Sequence, residues 1–323
     1  MPRSIRCGLF RYPARFSLGM WGLLFMSCLS RLGNHHLQTP CGSTRNIVAR
    51  KEAPSQTNDA RDHLLVDYGD YIYKKGSWDG APVVIEDFKL VFFTSAKVGC
   101  TVWKQLFRRM MGIPDWKAEQ TPDLLPWNSE LNGLKYLYDY DRETASMMMT
   151  NPEWTRAIFV RDPKERFLSA YLDKAFHKSF VDRNCCPFKM TCAAEARKSA
   201  KHFLELIKTC ENPHWMPQSS RMEEKYWPFI NFVGYMEHLS EDGERLLRQI
   251  GAWETYGAWG WGPTGKDSVF QSQEGGGGRA HATGARNKLK QYISQELEAE
   301  LDSFYEKDYS NPFLRFENIA LYR

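Results

Sequence analysis

The chain has 323 residues, of which 42% are hydrophobic and 25% are charged, and this balance excludes a disordered, collagen-like or coiled-coil protein. The 43 Lys and Arg residues exceed the 39 Asp and Glu residues by four, too small an excess for a dedicated nucleic-acid-binding protein. A globular protein with one local anion site fits this charge better.

The N-terminal segment has the pattern of a secretory signal, because four arginines within residues 1–15 precede a short apolar run at 16–32. The pattern fits a cleaved signal peptide or an uncleaved signal-anchor, and the basic flank favours an anchor with a cytosolic tail at 1–15. An amphipathic or transit-type N-terminus remains an alternative. The polar segment at 33–62 predicts a flexible stem, with one folded domain at 63–323 in an oxidising lumen.

Four of the eight cysteines lie close together in the sequence, at Cys185, Cys186, Cys192 and Cys210. Such clustering is typical of disulfides in an oxidising compartment. The vicinal pair has poor spacing for a tetrahedral zinc site. We therefore expect at least one disulfide among the four and a free thiol at Cys100.

Hydrophobic patterning along the chain predicts an α/β fold with a central parallel sheet flanked by helices. Short apolar runs at 90–93, 157–160 and 229–234 predict buried strands. Helical spacing is found between and after them, at 102–111, 163–175, 193–210, 239–250 and 294–305. The stretch at 251–278, rich in Gly and Trp, predicts a mobile loop.

The segment at 92–103 combines a strand end, a loop with Lys97 and Gly99, and a helix that starts near Thr101. Loop amides and a helix N-terminus form an anion site, to which Lys97 adds charge and Thr101 a hydroxyl. The Gly-x4-Gly-Lys-Ser/Thr pattern of a Walker A loop is absent from the sequence. An ordinary strand-to-helix connection with a surface lysine is the alternative.

A second strand-to-helix turn carries Arg161 at the strand end, Pro163 at the helix start and Ser169 two turns in. Arg161 and Ser169 are predicted to converge on one phosphate, with the guanidinium as a bidentate donor. Alternatively, Arg166 and Asp162 pair as structural ions. A helix with a salt-bridged surface is the alternative.

The two segments together resemble the paired signatures of sulfotransferases that use 3′-phosphoadenosine 5′-phosphosulfate. Residues 97–104 resemble the 5′-phosphosulfate loop, and residues 161–171 resemble the 3′-phosphate motif. The most similar group is that of the Golgi membrane-bound carbohydrate sulfotransferases, such as the chondroitin 4-O type. Weaker agreement extends over roughly 88–310, in the segments 214–218, 232–237, 279–285 and 305–308.

The resemblance implies a P-loop-like sulfotransferase fold, with 63–323 as the catalytic domain. It implies Lys97 as the group that stabilises the leaving phosphate and His214 as the general base, although a structural or substrate-orienting role for His214 stays open. The implied donor-binding residues are Lys97, Val98, Gly99, Cys100, Thr101, Val102, Arg161, Ser169, Arg279 and Thr283. Because one lysine can stabilise the leaving group, no metal ion is expected.

The resemblance further implies a glycan or polysaccharide acceptor, no nucleic-acid partner, and a single-pass type II protein of the Golgi membrane with a luminal catalytic domain. Two other functions remain open at this stage. One is a nucleotide-binding, kinase-like α/β enzyme, and the other is a non-catalytic glycan-binding protein on the same scaffold. Binding of adenosine 3′,5′-bisphosphate rather than ATP distinguishes a sulfotransferase from the kinase-like enzyme.

Overall fold

Four strands form one sheet in the part of the chain that the computed structural model describes, residues 65–75, 80–118, 126–186, 192–271 and 283–316. The strands are β1 (Val83–Ile85), β2 (Leu90–Phe93), β3 (Thr155–Val160) and β4 (Phe232–Tyr235), in the spatial order β1-β2-β3-β4. β2, β3 and β4 are mutually parallel, whereas β1 is antiparallel to β2. The predicted α/β fold is confirmed, with an antiparallel strand added because a short turn at 86–89 joins β1 to β2.

Helices connect and flank the strands. They are α1 (Cys100–Met110), α2 (Arg142–Thr150), α3 (Pro163–Ala170), α4 (Lys178–Cys185), α5 (Cys192–Lys198), α6 (Ala200–Ile207), α7 (Leu239–Gln249), α8 (Ala285–Tyr292), α9 (Gln295–Phe304) and α10 (Glu306–Tyr309). α1 and α2 lie between β2 and β3 in the chain, and α3 to α6 lie between β3 and β4.

Side chains from both faces of the sheet are buried. Phe92 and Phe159 pack on one face with Trp103 of α1, whose ring centroid lies 4.6 Å from that of each phenylalanine. Phe93 and Ile158 belong to the core on the other face, where α2 packs. Burial on both faces explains why β2 and β3 read as continuous apolar runs rather than as alternating patterns.

Three predicted elements have different bounds in the structure. The helix predicted at 193–210 is two helices, because Ser199 ends the first and caps the second by accepting from His202 N at 3.3 Å. The helix predicted at 163–175 ends at Ala170 and continues as a π-helical turn over Tyr171–Ala175. The strand predicted from 229 begins at Phe232, since a 3₁₀ segment occupies Glu224–Phe229.

The Gly- and Trp-rich stretch is ordered where the structure describes it, so the prediction of a mobile loop is wrong for 252–271. Trp261 is 5% exposed, and Arg109 of α1 donates to Tyr256 O at 2.8 Å and to Trp259 O at 2.7 Å. The Arg109 guanidinium also lies over the Trp259 ring. A partly buried arginine on a helix therefore fixes this segment. Residues 272–278 lie outside the described residues.

The clustered cysteines form two disulfides, Cys185–Cys210 and Cys186–Cys192, and Cys100 is a free thiol. The prediction for these five residues is confirmed. Together the two bonds tie α4 to the start of α5 and to the segment after α6. Each short loop closure of this kind contributes roughly 2–4 kcal/mol to stability.

The predicted cytosolic tail, signal-anchor and stem at 1–62 lie outside the described residues. In the described ranges, no helix combines the length and hydrophobicity needed to cross a bilayer.

Both edges of the sheet carry hydrogen bonds to other parts of the chain. At β1, Val84 N donates to Lys135 O at 2.9 Å. At β4, Arg245 of α7 donates to Val233 O at 3.3 Å, and Asp242 accepts from Tyr235 N at 2.8 Å. These three backbone groups on the outer sides of the edge strands therefore have partners within the same molecule.

Gly243→Ala is expected to destabilise the protein by about 1–3 kcal/mol, because the added Cβ would overlap the buried ring of Phe270. This overlap outweighs the gain in helix propensity of roughly 1 kcal/mol. The measurement is thermal unfolding followed by circular dichroism. Gly69→Ala is the matched control, since a Cβ there meets no heavy atom within 4 Å. Equal melting temperatures for the two variants would contradict the packing described for α7.

Candidate active site

The loop after β2 contains two residues in the left-handed region, Lys97 with φ 67° and Gly99 with φ 68°. α1 begins directly afterwards at Cys100. The first N–H groups of a helix have no intrahelical acceptor and carry partial positive charge, so they form an anion site where they face a loop. A non-glycine residue in the left-handed region is strained, and such strain is common at functional sites.

The side chains of this loop differ in what they offer a ligand. Val98 and Val102 are 1% and 8% exposed, so their side chains offer a ligand nothing polar. The Val98 N–H already donates to Ser95 O at 3.3 Å, which leaves the amide of Val102. Cys100 presents a partly exposed thiol. The Thr101 hydroxyl accepts from Trp127 Nε1 at 3.0 Å, and a hydroxyl that accepts in this way retains its own proton for donation. The loop therefore combines amide donors with one hydroxyl donor.

Lys97 forms a nearly buried ion pair with Asp173, a residue that the sequence analysis did not identify. Lys97 Nζ lies 2.8 Å from Asp173 Oδ2, and the two side chains are 7% and 16% exposed. Lys174 Nζ lies 3.2 Å from the same oxygen. Burial raises the pKa of Asp173, but the charges of Lys97 and Lys174 outweigh it and lower this pKa to about 2. Burial lowers the pKa of Lys97, and Asp173 opposes that effect.

The Gln218 side chain fixes the backbone of Arg161 by bonding both its N–H and its C=O. Arg161 N donates to Gln218 Oε1 at 2.9 Å, and Gln218 Nε2 donates to Arg161 O at 2.7 Å. The Arg161 guanidinium reaches Lys97 O at 3.4 Å and Glu165 Oε2 at 3.6 Å. Among the described residues, its buried Nε has no hydrogen-bond partner. The two predicted anion sites are therefore neighbours, and Arg161 retains a donor for a ligand.

Ser169 on α3 contacts the late part of the chain. Its side chain is 3% exposed, and Thr283 Oγ1 donates to Ser169 Oγ at 3.1 Å. Arg286 of α8 lies 3.6 Å from Glu165 Oε1, so Glu165 stands between Arg161 and α8. Arg279, the remaining residue predicted for this loop, lies outside the described residues.

His214 is held in one tautomer by Asn212. Asn212 Oδ1 lies 2.7 Å from His214 Nδ1 and also accepts from His214 N at 3.1 Å. Because this oxygen acts only as an acceptor, Nδ1 carries the proton and Nε2 carries the lone pair. Burial lowers the pKa of His214 well below its usual value, and the nearby Lys174 and Lys97 act in the same direction. His214 is therefore a neutral imidazole whose Nε2 can accept a proton.

Arg166 connects the loops that carry Lys97 and His214. Its fully buried guanidinium donates to Ala96 O at 3.0 Å, to Met216 O at 2.7 Å and to Pro213 O at 2.6 Å. Ala96 and Pro213 directly precede Lys97 and His214 in the chain. One side chain on α3 thus sets the spacing of the two predicted catalytic residues.

Asp162, for which the sequence left an ion pair with Arg166 as an alternative, acts as a helix cap. The Asp162 carboxylate caps α3 by accepting from the N–H groups of Lys164 and Glu165, each at 3.0 Å. With its carboxylate at the helix N-terminus, Asp162 leaves Arg166 to bind backbone carbonyls. The Asp-Pro sequence at a helix start is the signal that could have indicated this cap.

Two residues of the late segment 305–308 support the loop around His214. Tyr305 donates to Trp215 O at 2.8 Å, and its side chain is fully buried. The buried Asp308 carboxylate accepts from Gln218 N at 2.9 Å and from Ser219 N at 2.7 Å. Because Gln218 in turn fixes the backbone of Arg161, Asp308 supports the predicted phosphate site indirectly, through Gln218.

Two clefts flank this region. One of about 700 Å³ lies along β4, α7 and residues 313–315, and it contains none of the predicted site residues. Another of about 490 Å³ lies along α3 and α8 and is lined by Glu165 and Arg286, next to Arg161. The second cleft is the one that adjoins the cationic turns. In the described ranges, no group of three or more His, Cys, Asp or Glu side chains is placed to hold a metal ion.

Comparison with known proteins agrees with this geometry. The model of the sulfotransferase family matches residues 82–311, a segment that holds both strand-to-helix turns, the His214 loop and Asp308. The chain belongs to the sulfotransferase family. This membership confirms the predicted family and its α/β fold, whereas the roles of individual residues remain predictions.

Several relatives in the sulfotransferase family carry carbohydrate sulfotransferase names. Carbohydrate sulfotransferase 9 from Homo sapiens is 24% identical over 256 residues, which cover 72% of this chain and 54% of the relative. Carbohydrate sulfotransferase 11 from Rattus norvegicus is 27% identical over 191 residues, which cover 52% of each chain. The chain thus spans about half the length of these relatives. No solved structure matches the chain significantly.

Proposed function

We propose that the chain is a carbohydrate O-sulfotransferase that moves the sulfuryl group from 3′-phosphoadenosine 5′-phosphosulfate to a glycan hydroxyl. The observation that carries the proposal is the contact between two cationic strand-to-helix turns, with Arg161 Nη1 3.4 Å from Lys97 O. Two adjacent anion sites suit a donor with phosphates at both the 5′ and the 3′ position. Family membership and the names of the relatives support sulfuryl transfer and a carbohydrate acceptor.

In this proposal each turn binds one end of the donor. The amides of residues 99–102 and the Thr101 hydroxyl hold the 5′-phosphate. Arg161 and Ser169 hold the 3′-phosphate, to which Arg161 offers its unused Nε–H. Arg279 and Thr283 close over the nucleotide from the late loop. The contact between Thr283 and Ser169 supports this arrangement.

The reaction is an in-line displacement at sulfur. The acceptor oxygen attacks sulfur, the bond from sulfur to the phosphate oxygen breaks, and its electron pair leaves with adenosine 3′,5′-bisphosphate. Lys97 stabilises the charge that develops on that oxygen. The proton of the acceptor hydroxyl passes to His214 Nε2, whose lone pair is set by the bond from Nδ1 to Asn212. The products are the bisphosphate and a sulfated glycan.

The proposed location is the Golgi membrane, with 16–32 as a signal-anchor and the catalytic domain at 63–323 in the lumen. The basic flank and the apolar run support an anchor. The two disulfides support an oxidising compartment.

The wild-type protein is expected to bind adenosine 3′,5′-bisphosphate at least about tenfold more tightly than ATP, because charge-assisted bonds to a 3′-phosphate are worth roughly 1.5–3 kcal/mol. Isothermal titration calorimetry measures both affinities. Adenosine 5′-monophosphate is the matched control ligand, since it lacks only the 3′-phosphate. Transfer of radiolabelled sulfate to glycans then tests the reaction. Equal affinity for ATP and the bisphosphate would contradict the proposed donor and favour a kinase-like enzyme.

A further inference from the structure

The π-helical turn at Tyr171–Ala175 brings two charged residues to the candidate active site. The turn follows α3 directly, so the helix that carries the phosphate motif becomes π-helical at Tyr171. Asp173 and Lys174 lie within this turn. Turns of this kind are rare and frequently mark functional sites. Here the turn places the Asp173 carboxylate 2.8 Å from Lys97 Nζ and 3.2 Å from Lys174 Nζ.

The charges in this cluster do not cancel. Two ammonium groups share one carboxylate, and all three side chains are at most 16% exposed. The neighbouring His214 adds no charge while it is neutral. A net positive charge in a poorly solvated site favours the entry of an anion. Asp173 therefore raises the pKa of Lys97 and, among the described residues, leaves the cluster with a net positive charge.

We propose that Asp173 is a positioning residue that holds Lys97 and Lys174 side by side until the donor enters. Lys97 then turns to the bridging oxygen of the phosphosulfate, and Lys174 stays with the carboxylate and keeps it ionised. This inference rests on the proposed function for the identity of the anion. The paired state itself exists without donor and can be tested separately.

The titration of Lys97 reports on this arrangement. Lys97 faces Asp173, Lys174 and Cys100, and its carbonyl receives Arg161. Asp173 raises the pKa of Lys97, whereas burial and Lys174 lower it. Removing the Asp173 charge must therefore lower the pKa of Lys97 further, and removing the Lys174 charge must raise it. The two substitutions are thus expected to shift the pKa of Lys97 in opposite directions, which a merely structural role does not predict.

The same charged groups also act on the pKa of His214. His214 faces Lys174, Lys97, Asp173 and Arg166, and Asp173 raises its pKa while the cations lower it. In Asp173→Asn both pKa values fall, so His214 becomes a free base at lower pH and Lys97 loses its proton at lower pH. The acid and alkaline limits of kcat are thus expected to move together toward lower pH.

The test measures the reactivity of the Lys97 amine without donor. The full-length protein is labelled with acetic anhydride over a range of pH, and the peptide that contains Lys97 is quantified by mass spectrometry. At a fixed, mildly alkaline pH, Asp173→Asn is expected to be labelled about tenfold faster than the wild type, and Lys174→Met more slowly. Glu153→Gln is the matched control, because Glu153 pairs with Lys89 at an exposed site.

The outcomes distinguish a failure of the proposed function from a failure of the inference about Asp173. If wild-type protein neither transfers sulfate nor binds adenosine 3′,5′-bisphosphate, the proposed function falls, and the labelling still judges the Asp173 pair. If the wild type transfers sulfate but Asp173→Asn keeps the wild-type labelling rate and kcat limits, the inference about Asp173 is overturned. If Asp173→Asn does not fold, Lys174→Met decides, and a labelling rate equal to that of the wild type overturns the inference.

Discussion

Lys97→Ala is expected to lower kcat by about 10²–10³-fold while the protein stays folded. Lys97 supplies the charge opposite the departing phosphate oxygen, and that charge is needed mainly in the transition state. The fold survives because Asp173 keeps Lys174 as a partner 3.2 Å away. Initial rates of sulfate transfer at saturating donor and acceptor measure kcat, and circular dichroism checks the fold.

Arg161→Ala is the contrasting variant in this experiment. The 3′-phosphate does not react, so loss of Arg161 is expected to raise the KM for the donor with a smaller change in kcat. Lys89→Ala is the neutral control, because Lys89 is half exposed and pairs with exposed Glu153. A wild-type kcat in Lys97→Ala would remove Lys97 from the mechanism.

Arg166→Met is expected to lower the free energy of unfolding by about 3 kcal/mol, because one buried and two partly buried carbonyls lose their donor at once. It is also expected to lower kcat about 10²-fold in molecules that remain folded. The reason is that Arg166 spaces the Lys97 and His214 loops, and small displacements of reacting groups are costly. Chemical denaturation measures the first effect, and rates at low temperature measure the second.

The matched control is Arg156→Met. Arg156 is also a buried arginine, 5% exposed, and it donates to Phe229 O at 2.6 Å and Asn151 O at 2.7 Å, which belong to neither catalytic loop. Its loss should destabilise the fold without a selective fall in kcat. Arg166→Lys should lie between the wild type and Arg166→Met, because one ammonium cannot reach all three carbonyls. Equal kcat values for Arg166→Met and Arg156→Met would contradict the spacing role.

The elements that the sequence predicted correctly are those whose signal is local. β2 and β3 are apolar runs buried on both faces, and the turns after them carry Lys97 and Arg161 next to helix starts. The clustered cysteines likewise pair within a short stretch of chain. Such features depend on neighbours in the sequence, so a single chain is enough to find them.

The residues that the sequence analysis missed act across long separations. Asp173 lies 76 positions from Lys97, and Arg166 reaches carbonyls 70 and 47 positions away. Their roles depend on a π-helical turn and on which carbonyls the fold brings to α3. A helical pattern does not reveal either feature. Proximity in sequence suggested only Asp162 as a partner of Arg166 and gave no sign of these distant carbonyls.

The Gly- and Trp-rich stretch illustrates the same limit from composition. Glycine content predicted mobility, but Trp261 is buried and Arg109 binds the carbonyls of Tyr256 and Trp259. These contacts form only because α1 ends beside the stretch. Composition indicates the conformational freedom of the unfolded segment. It does not indicate which tertiary contacts restrict that freedom in the folded protein.

The hydrogen bonds at the two sheet edges bear on how molecules of this protein behave next to one another. An open edge strand offers a template on which another chain can add a strand, which starts aggregation. Here Lys135 meets one edge, and Arg245 and Asp242 of α7 meet the other. With these backbone groups already bonded within the molecule, each edge is a poorer template for a strand of a neighbouring copy.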